Sequence, residues 1–249
     1  MTQEKKMPEI ITVLSGKGGT GKTLMAANLG VRLAADGYKV LIIDGNFQSR
    51  GVDMALDLES RVIYDMVDVL RGDCRIRQAL TRHHKYPDLY ILEPPVFRKG
   101  GGIRMVEFET LLERVQEGFD YVIIDTSSAS TEVCVQMGLM SRRCLLITTQ
   151  DPVSLRAGQS LLAALKEKGM PTERCRLLVN NVRLKLADEG YLLDVEDIAD
   201  AFGIPVCGVI PYDENMHVAF SNGCPVADLE DSEAGAHLSR VFHRFLLTE

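Results

Sequence analysis

Along the chain, compact runs of apolar, mostly β-branched residues alternate with longer segments whose apolar positions recur every three or four residues. The runs at 10–14, 40–43, 89–92, 122–124, 145–148, 177–179 and 206–210 are apolar almost throughout, as strands are when both faces of their sheet are covered. Helical spacing falls at 22–35, 63–70, 105–117, 131–139, 154–168, 194–202 and 234–247. Strand and helix taking turns in this way predicts an α/β fold: a doubly wound, mostly parallel sheet flanked by helices. One glycine-rich break, Arg98 to Gly102, interrupts the pattern, and no repeat or low-complexity tract divides it. Residues 1–249 are therefore expected to form a single domain.

Composition narrows the function more than the fold. Apolar residues make up 46% of the 249 and charged residues 25%, the balance of an ordinary globular chain. Lysine and arginine number 28 against 35 aspartates and glutamates, and the net charge of -7 offers no bulk attraction to nucleic acid or anionic lipid. Nucleic acid is an unfavoured partner on that ground. The opening MTQEKKMPEI has no apolar stretch of the signal-peptide kind, and nothing later approaches the ~18 apolar residues of a membrane span. A cytoplasmic address is expected. Cys74, Cys134, Cys144, Cys175, Cys207 and Cys224 include no close-spaced pair, which argues against a tetrahedral metal site or a redox couple.

The chemistry gathers between the first expected strand and the first expected helix. Leu14 to Thr23 reads LSGKGGTGKT, with Gly16, Gly18, Gly19 and Gly21 where the chain must turn into the helix. Without Cβ atoms there, successive backbone N–H groups face phosphate oxygens, and the helix N-terminus adds positive potential. Gly18, Gly19, Thr20 and Gly21 would form the cradle, Lys22 would hold the β- and γ-phosphates, and the Thr23 hydroxyl would ligate Mg2+. A second lysine, Lys17, is surplus to that scheme.

Gly16 to Thr23 resembles the deviant Walker A motif, K-G-G-x-G-K-[ST], of the MinD/ParA family of P-loop ATPases. In that family the early lysine, here Lys17, crosses a dimer interface to the nucleotide of the partner subunit. The resemblance implies ATP and Mg2+ as cofactors and a homodimer formed on ATP binding, with Lys17 acting in trans much as an arginine finger does. Longer stretches are similar to the MinD branch of the family: VIYDMVDVLRGDCRIRQAL after the first switch, DLYILEPP in the next strand, YVIIDTSSAS in the Walker B strand, then TTQDPVSLRA and CGVIPYDENMHVAFSNGCPV. On this resemblance Asp44 and Asp125 end apolar strands facing Mg2+ and its water shell. Asn180 matches an adenine-contacting asparagine or caps a strand end for structural reasons, and the backbone from Pro211 onward walls the base.

Departures from the family pattern bear on activity. The pattern D-x-D-x-G-L-R-N-x-D uses its second aspartate to position the attacking water, whereas this chain reads DGNFQSRGVD from Asp44 to Asp53. Asn46 takes that place, and an amide orients a water by hydrogen bonding but accepts no proton near neutral pH. Phosphoryl transfer is mostly positioning and charge stabilisation, so hydrolysis is expected to be slow or partner-stimulated, with Asp44 or Asp53 as alternative acceptors if the loop shifts. After Asp125 the family's proline and glycine give way to Thr126 to Ser130, TSSAS. Family members also carry a basic amphipathic membrane segment beyond their last core helix, and this chain stops at Glu249. Leu238, Val241, Phe242, Phe245 and Leu246 therefore read as the buried face of that core helix, and no intrinsic membrane anchor is expected.

Three functions follow for comparison. The first is a nucleotide-gated ATPase dimer that positions another component, of the division-site, segregation or flagellum-placing kind, with a protein activator or cargo. The second is an ATP-binding regulatory module that dimerises but hardly hydrolyses, which Asn46 permits. The third, an electron-transfer relative with an iron–sulfur cluster between subunits, needs a cysteine from each of two loops. Cys134 lies near the Walker B loop, but residues 93–102 contain none, and no iron–sulfur cluster is expected.

Overall fold

The structure, a computed structural model, describes residues 7–47, 50–95, 103–127, 131–226 and 232–247. The glycine-rich break at 98–102 and Ser128 to Ser130 of the loop after Asp125 lie outside them. The described residues form an eight-stranded sheet: β1 (Glu9–Leu14), β2 (Val40–Gly45), β3 (Thr81–Arg82), β4 (Leu89–Leu92), β5 (Tyr121–Thr126), β6 (Arg143–Thr148), β7 (Cys175–Val182) and β8 (Val206–Pro211). Their order is β3-β4-β2-β5-β1-β6-β7-β8, parallel apart from the antiparallel edge strand β3. All seven expected strands are present. The eighth, β3, has two residues, too few to carry a period.

The unbroken apolar runs are explained by what covers them. Every residue of β2 is buried, and β5 and β6 bury all but their first. Alternate residues of one strand serve opposite cores: Val40 and Ile42 pack with one set of helices, Leu41 and Ile43 with another. Each fully buried aliphatic side chain contributes about 1.5–3 kcal/mol, so the central strands hold the sheet together.

The helices are α1 (Lys22–Ala35), α2 (Val52–Ala55), α3 (Met66–Arg71), α4 (Ile76–Ala79), α5 (Met105–Val115), α6 (Thr131–Leu139), α7 (Pro152–Glu167), α8 (Leu184–Asp188), α9 (Val195–Phe202), α10 (Glu214–Ser221) and α11 (Glu233–Leu247). On one face α1, α2, α10 and α11 cover the sheet, and on the other α3, α5, α6, α7 and α9 do so. The helix expected at 63–70 begins three residues later because Asp65 caps it, its carboxylate accepting from the amides of Val67 and Asp68 while Asp68 answers from the third position. Leu238, Val241, Phe242 and Phe245 of α11 are buried in the core, as the helical spacing predicts. Cys144 and Cys175, far apart in sequence, are register partners on β6 and β7, and none of the six cysteines forms a disulfide.

Strand order also fixes where a ligand belongs. The chain leaves β1 toward β2 and β4, returns through β5 beside β1, then departs on the other side through β6, β7 and β8. The winding direction reverses at β1, and the crevice beyond the carboxyl end of such a strand is where open α/β sheets bind ligands.

Candidate nucleotide site

The loop that follows β1 fits only as glycine dictates. A Cβ on Gly16 would lie 2.1 Å from the Ala157 carbonyl oxygen of α7, so no side chain is admitted there. Gly21, the residue before α1, has φ of 95°, in the left-handed region that glycine enters without strain. Gly18, Gly19, Gly21, Lys22 and Thr23 line a cavity of about 320 Å3, joined on its far wall by Asn46 and Asn180. Lys22 is buried, and desolvation depresses its pKa against the opposing pull of Asp125. Its Nζ lies 3.5 Å from the Lys17 carbonyl oxygen, a long contact that leaves the ammonium in need of an anion.

Beside the loop, three strands end in carboxylates. Asp44 and Asp125 are register partners on β2 and β5, and Glu93 follows Leu92, the partner of Ile43, on β4. Asp125 Oδ2 accepts from Thr23 Oγ1 at 2.6 Å, while its buried Oδ1 has no donor among the described residues. Asp44 accepts from three amides: Asn46 at 2.7 Å on Oδ1, Gly51 at 2.9 Å and Val52 at 3.3 Å on Oδ2. Burial pushes Asp44 up to about 6 and Asp125 up to about 7, with their mutual charge adding to the rise in Asp125. Thr23, the orphaned Asp125 oxygen and Asp44 fit one side of a Mg2+ shell. No three His, Cys, Asp or Glu side chains among the described residues form a metal site alone, so phosphate oxygens and water would complete it.

The other expected site residues divide. Lys17 turns away from the 320 Å3 cavity, its Nζ bonding Asp151 Oδ1 at 3.0 Å beside a second cavity lined by Asn181, Arg183 and Tyr212. Asn180 Nδ2 donates to the Thr20 carbonyl at 2.8 Å, and its Oδ1 is buried without a donor among the described residues. Thr20 thus serves through its backbone, its side chain being buried. Asn46 lines the cavity with Thr126 and Ser127. Asp53 is engaged elsewhere, accepting from Arg50 Nε at 2.9 Å and from Arg50 Nη2.

Pro211 itself does not line the cavity, but the segment beyond it does. Pro211 ends β8, in register with Val182, and Asp213 then caps α10 by accepting from the Asn215 amide, so that a helix face carrying Met216, His217 and Phe220 lines the cavity. The pair Asp213-Glu214, an N-cap followed by a first-turn acid, was the available signal for that helix.

Residues 11–226 match the model of the CobQ/CobB/MinD/ParA nucleotide-binding domain. The chain belongs to this MinD/ParA family. It is 32% identical over 220 residues to the septum site-determining protein MinD of Synechocystis sp., covering 88% of this chain and 82% of that protein. Against MinD of Bacillus subtilis the identity is 30% over 241 residues, or 96% of this chain and 90% of the relative. A chain of the MinC:MinD cell division protein complex from Aquifex aeolicus has a TM-score of 0.84 at 27% identity, spanning 96% of this chain and 95% of that one. The MinD of Pyrococcus horikoshii complexed with Mg-ADP shares the fold, with a TM-score of 0.81 at 23% identity over 95% of each chain.

One residue of this MinD/ParA site escapes a motif search. Glu93 is 1% exposed, and neither carboxylate oxygen has a hydrogen-bond donor among the described residues. Arg50 Nε stands 3.9 Å from its Oε2. Burial, followed by the charges of Asp44 and Asp53, holds the Glu93 carboxyl well above the usual range, with Arg50 opposing. The signal was present in the sequence as parallel endings: LIID, VIID and YILE close β2, β5 and β4 alike.

Proposed function

We propose that this chain is a MinD-like ATPase that dimerises when ATP is bound, each subunit's Lys17 reaching the phosphates held by the other, and so positions or regulates another cellular component. The carrying observation is Lys17: it is built into the phosphate loop, yet its ammonium rests on Asp151 outside the cavity, with the two side chains 40% and 32% exposed. Ion pairs that exposed are worth about 0–1 kcal/mol, so the denser charge of a triphosphate across an interface outcompetes Asp151.

Within one subunit, Lys22 neutralises the β- and γ-phosphates while the loop amides and the start of α1 orient them. Thr23, Asp125 and Asp44 would hold Mg2+, which would supply charge stabilisation to the phosphoryl transfer. Asn180 Oδ1, its amide nitrogen committed to Thr20, is an acceptor suited to the exocyclic amine of adenine. A guanine oxygen in that place would leave two acceptors facing each other. Asn46 orients the attacking water without taking its proton, which sets a slow basal rate open to stimulation by a protein partner. The MinC:MinD complex among the similar structures supports a partner of that kind. We assign the activity to a single domain across 1–249, working in the cytoplasm. No helix among the described residues is long and apolar enough to cross a membrane.

Sedimentation with ATP and Mg2+ tests the reading. Wild type is expected to dimerise, and Lys17→Ala to bind nucleotide with little loss while staying monomeric. A Lys17→Ala protein that dimerises as wild type does removes the trans role. Asn46 favours a second reading, a binding module that dimerises without turning over. Hydrolysis measured with and without a partner protein separates the two.

A further inference from the structure

We propose that Glu93 is a positioning residue of the first switch loop: it competes with Asp53 for Arg50 and so decides whether the loop's amides stay on Asp44. This rests on the nucleotide reading above. Glu93 lies one strand farther from the phosphate loop than Asp44, because the sheet runs β4, β2, β5, β1. It is therefore out of reach of the phosphates and acts through another group.

Arg50 is that group. Its Nε bonds Asp53 at 2.9 Å and stands 3.9 Å from Glu93 Oε2, so one donor faces two acceptors and bonds one of them. A charge-assisted N–H···O bond closes at about 2.7–2.9 Å, so a shift of roughly 1 Å moves Nε from Asp53 to Glu93 and loosens the second bond, from Nη2, that Asp53 accepts. Arg50 is only 14% exposed, and water does little to screen either arrangement. A buried carboxyl without a hydrogen bond is costly to ionise, and here the Arg50 guanidinium stands 3.9 Å away, near enough to supply both the charge and the bond.

The chain connects this shift to the metal side of the site. Arg50 directly precedes Gly51 and Val52, whose amides both donate to Asp44 Oδ2. With Arg50 on Asp53, those amides occupy the oxygen that Asp44 needs for the metal's water shell. If Asp44 turned to that shell, the freed loop would carry Arg50 to Glu93, and the new pair would hold the loop in place.

The test compares wild type with Glu93→Gln, which keeps size and loses charge, and Glu93→Asp, which keeps charge and falls one methylene short. Three quantities are read: affinity for a fluorescent ATP analogue, amide exchange of Gly51 and Val52 with and without Mg2+ and a non-hydrolysable ATP analogue, and turnover. In wild type, nucleotide is expected to change exchange at both amides. Glu93→Gln should bind within about twofold of wild type yet lose that change, and its kcat should fall roughly ten- to a hundredfold, as for a group misplaced by about 1 Å, with KM unmoved. Glu93→Asp should recover part of both signals, and Arg50→Gln combined with Glu93→Gln should be no worse than either alone. If Glu93→Gln keeps the exchange change and the turnover of wild type and only melts higher, Glu93 is a passive buried acid and the proposal is wrong. A wild type that fails to bind the analogue overturns the nucleotide reading itself, and this inference with it.

Discussion

On the β1 side of the crevice the loop is held by contacts within the protein, Asn180 with Thr20 and Lys17 with Asp151, while Lys22 Nζ and Asn180 Oδ1 are left on its cavity side for a ligand. On the β2, β5 and β4 side, the acids Asp44, Asp125, Asp53 and Glu93 gather, and Arg50 bonds Asp53 and faces Glu93 while Asp44 is held by backbone amides. The first side is a receptor whose shape is fixed by backbone, down to the 2.1 Å that excludes any residue but glycine at position 16. The second is a cluster of buried acids whose protonation and arrangement depend on which cation is present. Affinity for a nucleotide should therefore reside on the rigid side, and the response to it on the charged side.

The largest effect expected from this division is on the rigid side. Losing one member of a buried charge pair costs about 2–5 kcal/mol, so Lys22→Ala should weaken ATP binding by at least ~30-fold in a titration with a fluorescent analogue. A loss of only a few-fold would mean that the loop amides carry the affinity, and the two sides would differ less than argued.

The charged side should reveal itself through pH. Asp44 and Asp125 have folded values of about 6 and about 7, raised from an ordinary 3.8, so the native protein binds their protons more tightly than the unfolded chain does. Stability from these groups is complete below pH ~4 and is lost as pH rises through 6 and 7. Glu93 acts in the same direction. Without nucleotide or Mg2+, the melting temperature should fall between pH 5 and 8 by the equivalent of a few kcal/mol, and saturating Mg2+ with nucleotide should flatten the slope. A melting temperature constant or rising over that range would show that the acids are compensated in some other way.

The two sides were also unequally legible in the sequence. Gly16 to Thr23 is contiguous, so strand, glycines, lysine and helix announce one another within eight residues. The long apolar runs located seven strands for the same reason. Glu93, Asp44 and Asp125 come from three strands and become a row only after the sheet order is known. Beyond Pro211 only a segment was legible and not its helix, because α10 is two turns long and its cap at Asp213 is a weaker mark than an apolar run. The resting place of Lys17 was hidden as well, since its partner Asp151 lies 134 residues away, where its visible role is to cap α7.

A smaller effect should come from restoring the family's aspartate on the charged side. A positioned base contributes about 10²- to 10⁴-fold, but Asn46 already orients the water, so Asn46→Asp should raise single-turnover hydrolysis nearer ~10-fold. The same change adds another acid to the cluster and should steepen the pH slope of the nucleotide-free protein. A wild type as fast as Asn46→Asp would mean that another residue accepts the proton.

The smallest expected effect probes the link between the sides of two subunits. Each Lys17 must leave its Asp151 before it can cross, and an exposed pair of this kind is worth ~0.2–1 kcal/mol. Asp151→Asn removes the charge but keeps an oxygen able to cap α7 at the Ser154 amide, so monomer stability should change by less than about 1 kcal/mol. Because a dimer breaks this pair once in each subunit, the ATP-dependent association constant should rise a few-fold in sedimentation. An unchanged constant would mean that Lys17 keeps its hold on Asp151 in the dimer, and the crossing lysine would have to be given up even if ATP still drives association.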